Sequence, residues 1–377
     1  MGVAEEFVAR TGAEPVFVGS APGRVNLIGE HLDYNGGRSL PIALTYRTQV
    51  AAGRRDDGRL VLHSVQAHDE DVSVPLSALD DGMEGWGAYA AGVVWALGLP
   101  GDGPDGLGGL DLVVDGRVPT GAGLSSSAAL ECAVAMAVLA VAGESRTSDE
   151  IVAACVRAEN EYVGASTGSM DQTVAMFAEP EHALLIDFAS GDRRSVPWAP
   201  PGDLVVIDTK AAHTLVGGEY AERRQACEAA ARELGVEWLA DADAAQAESL
   251  ADPVQRRRAR HVVTESARVT DAVTALEAGD WPAFGRLMTG SHESLRDDYE
   301  VSVRELDVAV EAALAAGAWG ARMTGGGFGG SAIALTPPGG ADEVREAVAA
   351  AYAREGLRPP EFLDGSAGGP AEVGPRG

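Results

Sequence analysis

The chain has 377 residues, 46% of them hydrophobic, enough for two packed layers or two domains with cores of their own. Its 57 acidic and 29 basic residues leave a formal charge of −28, a field that repels nucleic acid and anionic membrane and argues against both as partners. That field also repels nucleotide phosphates at long range, so any phosphate site has to be made locally, from backbone amides, a metal ion and a few arginines.

The segment MGVAEEFVAR at the start is acidic, lacks an apolar core and reads as no secretory signal. Residues 15–20, 48–52 and 60–64 read as strands separated by Gly or Asp-Gly breaks. Between the first two lies PGRVNLIGEHLDYNGG, which packs Arg24, Glu30, His31, Asp33 and Tyr34 between glycines. Sugar hydroxyls pair off as donors and acceptors, and a carboxylate can accept two of them at once. Polar groups at this density therefore suit a grip on a small polyhydroxylated ligand.

Residues 86–99 read as a helix with one apolar face, followed by a Gly/Pro-rich loop through 110 and a strand at 111–114. Next comes PTGAGLSSSAA, in which Gly121 and Gly123 allow a tight turn and three serines open a helix. Free N–H groups and the dipole at such a helix start favour an anion, which makes a phosphate cradle without a cation. It is not a P-loop, because that motif needs a lysine and Lys210 is the only one in the chain. Taken alone, these residues read equally well as a Gly-rich turn with a serine N-cap.

The apolar run 128–142 carries Glu131 and is too short to span a bilayer, so it reads as a buried core helix. A helix over 151–162 carries Glu159, by itself a solvated face. The small-residue run GASTGS then leads into GSMDQ, whose Asp171 alone reads as a helix N-cap.

The segment PWAPPG at 197–202 reads as a crossover between a strand ending near 188 and another at 204–208. The domain boundary is placed there, giving 1–195 and 196–364. The second half reads as mainly helical, at 219–234, 254–278, 281–295 and 303–316. It closes with a strand at 318–323, the run TGGGFGG, a strand at 331–335 and a helix at 341–355. The glycines from Gly325 to Gly330 let a backbone approach a ligand or another loop closely, or simply connect two strands. His213 and Tyr220 carry no signal alone. The tail 365–377 is rich in Gly, Pro and Ala and is expected to be disordered. Helices and strands mixed without strict alternation argue for an α+β fold. Cys132, Cys155 and Cys227 form no CxxC pair, so no disulfide framework or zinc site is expected and reduced thiols fit a cytoplasmic protein. No long apolar seam is evident, which points to a monomer.

Together these stretches resemble the GHMP small-molecule kinases, and the first narrows the resemblance to the galactokinases. The family pattern GR-x-N-x-x-G-E-H-x-D-Y is met by Gly23, Arg24, Asn26, Gly29, Glu30, His31, Asp33 and Tyr34. The pattern P-x-G-x-G-L-S-S-S-A is met by Pro119 to Ala128, and the C-terminal glycine run by Gly325 to Gly330. Leu32 stands where many relatives have threonine.

The resemblance implies a two-domain GHMP kinase fold with the active site in the interdomain cleft. It implies ATP- and Mg²⁺-dependent phosphorylation of α-D-galactose at the anomeric hydroxyl, the first committed step of galactose catabolism. By resemblance, Glu30, His31 and Asp33, with Leu32 among them, hold sugar hydroxyls, while Gly168 lines the sugar and Tyr220 touches it. Gly121, Ala122, Gly123, Leu124, Ser125, Ser126 and Ser127 hold the phosphates, and Ser64 lies near the nucleotide. Ser127 and Glu159 hold Mg²⁺. Asp171 accepts the proton of the attacking hydroxyl, with Arg24 beside it facing the phosphoryl group. The alternatives are a sister kinase acting on N-acetylgalactosamine or another sugar, and a non-catalytic sensor of galactose and ATP. The Ser127-Ala128 pair, which the sensors lack by resemblance, favours catalysis. A dinucleotide-binding enzyme fits poorly, because the glycine runs do not fit GxGxxG followed by an acidic residue after a strand.

Overall fold

Strand β1 (Phe17–Asn26) runs straight through the start of the glycine-flanked stretch and is buried over its last eight residues. The computed structural model describes residues 2–67, 71–99, 107–165, 167–211 and 218–375. His213 and most of the Gly/Pro-rich loop ending at 110 lie outside them. The first half also contains α1 (Val3–Thr11), β2 (Arg38–Ser39), β3 (Pro41–Arg54), β4 (Arg59–Ser64), β5 (Val72–Pro75), α2 (Gly87–Leu97), β6 (Leu110–Gly116), α3 (Ser126–Ala142), α4 (Ser148–Arg157), α5 (Met170–Phe177), β7 (His182–Asp187) and β8 (Arg193–Pro197). The second half contains β9 (Leu204–Asp208), α6 (Gly218–Leu234), α7 (Ala244–Ser249), α8 (Pro253–Glu277), α9 (Trp281–Asp297), α10 (Arg304–Ala315), β10 (Gly320–Thr324), β11 (Ser331–Leu335), α11 (Ala341–Glu355), β12 (Glu361–Asp364) and β13 (Glu372–Pro375).

Three sheets result. The largest has the order β13-β1-β3-β6-β4-β5 and is antiparallel except between β4 and β6. The second, β10-β11-β9-β12, is built wholly from the second half, and β2-β7-β8 forms a small third sheet. Helix α3 is apolar nearly all round, as a helix must be when it lies between a sheet and other helices. It packs on β1 and β3 with one side and meets α2, α4 and α5 with others.

One apolar core joins the two halves where the site lies. Val25, Leu27, Ile28, Leu32 and Leu40 share it with Val206, Val262, Phe284 and Met323. The polar stretch after β1 is therefore rooted in the packing of the C-terminal helices. No helix among the described residues is long and apolar enough to cross a membrane.

The mixed α+β class and most helices match the pattern of the sequence, with instructive departures. The run at 48–52 is the end of a 14-residue strand, masked in the sequence by the partly exposed Thr45, Tyr46 and Arg47. The helix expected over 151–162 stops being α-helical at Arg157 and continues as a π-turn over Ala158–Val163. Helix α1 buries only Val3 and Phe7, too few apolar positions for its period to stand out.

The tail 365–377, expected to be disordered, is ordered through Pro375. Its β13 pairs antiparallel with β1 from Phe17 to Ser20. Gly368 N–H donates to Ala43 at 2.8 Å and Ala371 N–H to Ala175 at 2.6 Å. Arg47 holds the carbonyls of Gly369 and Pro370 at 3.1 and 2.8 Å. The tail's composition cannot make a core, but the open edge of β1 orders it through backbone hydrogen bonds. Truncation after Asp364 removes these bonds and uncovers that edge. Several bonds at about 1 kcal/mol net each predict a stability loss of ~2 kcal/mol or more. Thermal unfolding of the truncated chain measures it, and an unchanged midpoint would show that the tail contributes nothing.

Candidate active site

The site begins with an irregularity in β1. The pairing of β1 with β3 shifts register between Pro22 and Arg24, the local kink by which a bulge re-aims a side chain. Arg24, 6% exposed, reaches across to α5. Its Nε and Nη2 donate to the two carboxylate oxygens of Asp171 at 2.8 and 2.9 Å, and its Nη1 donates to the Gly123 carbonyl at 2.7 Å. The Ser125 hydroxyl also donates to Asp171 Oδ2. Ser125 holds a left-handed backbone with φ +60°, a strained conformation for a residue with a side chain. Asp171 is not an N-cap: it lies in the first turn of α5, after the N-cap Ser169, and its carboxylate faces Arg24 and Ser125.

After β1 the chain turns through Gly29 at φ +98° and His31 at φ +61°. Helix α8 holds this turn from behind. Gly29 N–H donates to Glu265 at 2.9 Å, and a His261 ring nitrogen lies 3.2 Å from the Glu30 carbonyl. The Glu30 carboxylate accepts from Asn26 Nδ2 at 2.9 Å, from Gly325 N–H at 2.7 Å and from the Thr324 hydroxyl at 3.2 Å. The guanidinium of Arg322 lies 3.7 Å away. Burial raises the Glu30 pKa against the pull of Arg322 and Arg24. Desolvation outweighs attraction here, as is usual for a buried pair.

Asp33, His31 and Tyr220 complete this side. A Cβ on Gly168 would lie 1.8 Å from Asp33 Oδ2, so only glycine fits beside the carboxylate. Burial, then the charges of Asp171 and Glu30, raise the Asp33 pKa to about 7. Burial lowers that of His31 to about 3, leaving a neutral ring. These residues border a cavity of about 560 Å³ that continues to the turn at Gly121 and the start of α3. There Thr120, Gly121, Gly123, Leu124 and Ser125 to Ser127 form the wall. The third glycine stretch supports this loop: a Cβ on Gly325, itself at φ +86°, would lie 2.9 Å from the Gly123 carbonyl.

On the far side of the loop, the π-turn after α4 carries Glu159. Such turns insert one extra residue and often mark functional positions. Glu159 is 6% exposed and accepts from Thr167 and Gln172, each at 2.8 Å, with Ser127 also within hydrogen-bonding reach. Gln172 donates to Glu131 as well, at 2.9 Å. Burial and like-charge neighbours raise the pKa of both glutamates.

The sequence-selected residues Arg24, Glu30, His31, Asp33, Gly121, Gly123, Leu124, Ser125, Ser126, Ser127, Glu159, Gly168, Asp171 and Tyr220 thus border one cavity. Leu32, Ala122 and Ser64 are not on its wall. Leu32 and Ala122 turn into the shared core. The Ser64 hydroxyl accepts the amides of Gln66 and Ala67 at 3.2 Å, closing a local turn after β4. Gly326, from the C-terminal glycine run, is on the wall, and Tyr89, Thr120, Val163, Met170 and Gln172 join it without having been given a role. Gln172 had a signal in its place beside Asp171, whereas Tyr89 had none within its apolar helix.

Fold and site together define a GHMP small-molecule kinase. Residues 88–179 match the GHMP kinases N terminal domain and residues 272–354 the GHMP kinases C terminal domain. The mevalonate kinase of Methanococcus jannaschii shares the fold, with a TM-score of 0.65 at 17% identity over 94% of this chain and 98% of that one. The match narrows at the N-terminus, where residues 5–54 carry the galactokinase galactose-binding signature. The galactokinase of Streptomyces coelicolor is 46% identical over 372 residues, 96% of this chain and 95% of that protein. Lactococcus lactis galactokinase, solved in complex with galactose, aligns with a TM-score of 0.93 at 32% identity over 98% of both chains. The chain belongs to the galactokinase family.

Proposed function

We infer that the protein transfers the γ-phosphoryl group of ATP to the C1 hydroxyl of α-D-galactose, giving galactose 1-phosphate and ADP. The observation that carries this reading is the Arg24–Asp171 pair, placed in one cavity between the turn of Glu30, His31 and Asp33 and the loop of Gly121 to Ser127. A sugar held by the turn presents a hydroxyl to Asp171, while phosphates held by the loop and the start of α3 lie beside Arg24.

Phosphoryl transfer is mostly positioning and charge stabilisation. The C1 oxygen bonds to the γ-phosphorus as the bond to the β,γ-bridging oxygen breaks, and the hydroxyl proton passes to the Asp171 carboxylate. Arg24 spends three N–H groups on Asp171 and Gly123, so two of its five stay open for charge on the transferring group. Glu30, already held by Asn26 and Gly325, shapes the turn as well as bordering the sugar.

The carboxylate environment of Glu159 fits a divalent cation. Burial, with the charge of Asp171 added, raises its pKa, a penalty on the carboxylate that a cation would relieve, and the Ser127 hydroxyl is adjacent. Mg²⁺ takes few protein ligands and several waters or phosphate oxygens. Ser127 and Glu159 would hold it, and when bound it would neutralise phosphate charge.

ATP turnover against a panel of sugars tests the activity. Galactose should yield ADP and galactose 1-phosphate one to one. Preference for N-acetylgalactosamine would move the protein to a sister activity, and no turnover with any sugar would make it a sensor.

Asp33 gives a second test. A free carboxyl titrates near 4, so the folded protein retains this proton between pH ~4 and ~7, and the contribution of Asp33 to stability falls as pH rises across that window. Sugar hydroxyls donating to Asp33 favour the carboxylate. Galactose binding near pH 6 should therefore release about one proton, and affinity should rise with pH up to about 7 and level off above it. Calorimetry in buffers of different ionisation enthalpy measures the release. Asp33→Asn should abolish it, and a buffer-independent heat in the unmodified protein would contradict this role.

A further inference from the structure

His31 ends a line of side chains that runs from the cavity into the second half. Its Nδ1 lies 2.9 Å from the Tyr34 hydroxyl, which lies 2.7 Å from the Tyr299 hydroxyl, which lies 3.1 Å from Cys227 Sγ. Tyr299 and Cys227 are fully buried. Tyr299 is fixed in place: its ring packs between those of His31 and His261, with centroids 4.6 and 4.5 Å away, and its carbonyl accepts from Arg223. The other nitrogen of His31, Nε2, is buried on the cavity wall and makes no hydrogen bond of good geometry within the protein, with the Gly326 backbone near the ring.

We propose that Cys227, Tyr299 and Tyr34 form a directed hydrogen-bond chain that fixes the tautomer of His31, leaving Nε2–H as a donor into the cavity that selects an acceptor oxygen on the ligand. This rests on the reading of the cavity as a sugar site.

Two directions are open to the chain, and its far end decides between them. Burial raises the pKa of both phenols and pushes the Cys227 thiol up to about 11, so all three keep their protons. The Asn35 side chain, which donates to the His31 carbonyl at 2.7 Å, lies close enough to Cys227 to favour negative charge on its sulfur. If the sulfur receives an N–H from Asn35, its own proton is free for Tyr299. Tyr299 then donates to Tyr34, Tyr34 donates to Nδ1, and the ring proton sits on Nε2. Every proton has an acceptor, and the chain ends on the imidazole lone pair, the strongest acceptor in it. In the opposite direction sulfur, a weak acceptor, would take both Asn35 and Tyr299 and leave a buried S–H without a partner. The Gly326 backbone beside the ring also favours a proton on it. A sugar hydroxyl oxygen at Nε2 would supply the missing acceptor. Tyr34, Tyr299 and Cys227 are thus positioning residues, acting on the ligand through His31.

Nitrogen-15 NMR of the full chain labelled at histidine reads the tautomer directly, with the His31 signals assigned by their loss in His31→Gln. The unmodified protein should show a neutral ring protonated at Nε2. Tyr34→Phe removes the donor to Nδ1 and should give mixed tautomers, with the galactose KM raised about 5- to 10-fold while kcat and the ATP KM stay within about twofold. Tyr299→Phe should move the same readouts in the same direction by less. A proton on Nδ1 in the unmodified protein, or an unchanged tautomer in both variants, would overturn the proposal. Should neither variant fold, the tautomer of the unmodified protein decides alone. The arms also separate the two readings: absence of galactose turnover would sink the activity while the tautomer still judges the chain, and the wrong tautomer in an active galactose kinase would sink the chain alone.

Discussion

The guanidinium of Arg24 is the group to which the rest of the site is referenced. It joins three segments distant in sequence: β1, which carries it, the phosphate loop through the Gly123 carbonyl, and α5 through Asp171. An exposed ion pair of this kind would fix little. Here the fork is bidentate and mostly buried, with side-chain exposures of 7% for Arg24 and 28% for Asp171. The imbalance matters: the arginine is anchored in protein while the carboxylate still faces the cavity. Ser125 adds a third donor to that carboxylate from the loop itself, so Asp171 and the Gly121–Ser127 loop cannot shift independently.

The sugar side is built differently. Its turn holds His31 in a left-handed backbone conformation, and strain of that kind persists only where the surroundings over-determine it. Those surroundings are Glu265 and His261 of α8 and the Glu30–Gly325 contact, all from the second half of the chain. Because the turn's apolar residues sit in the same core as α8 and β10, the polar face can be crowded with carboxylates without collapsing. The cost of that crowding appears in Asp33, which burial, and then the charges of Asp171 and Glu30, push toward neutrality. A net charge of −28 is compatible with the proposed phosphate site because Arg24 and the backbone amides of the Gly121–Ser127 loop would supply attraction locally.

Much of this was legible in the sequence because function here is written in dense local patterns. The PGRVNLIGEHLDYNGG and PTGAGLSSSAA stretches each place several groups on one wall through short-range geometry alone. What was not legible depends on which way a side chain turns or on a partner far along the chain. Leu32 and Ala122 lie within the motifs but face the core, and Ser64 spends its hydroxyl on a local turn. Asp171 is indistinguishable from an N-cap until Arg24 is seen 147 residues earlier in the sequence. Glu265 in α8 and Arg322 in β10 support the turn, as does Tyr299 in the connection between α9 and α10, and none of them belongs to a local motif. The tail is the plainest case: composition speaks to whether a segment can bury itself, and says nothing of an open sheet edge waiting for it.

The central claim is that Asp171 takes the proton of the attacking hydroxyl while Arg24 holds it in place, separately from the grip on the sugar. Asp171→Asn tests this most directly, with galactose affinity measured by calorimetry and phosphoryl transfer by single turnover on the same preparation. The account predicts affinity within a few-fold of the unmodified protein and a transfer rate lower by ~10²-fold or more. A transfer rate near that of the unmodified protein, with affinity intact, would contradict it.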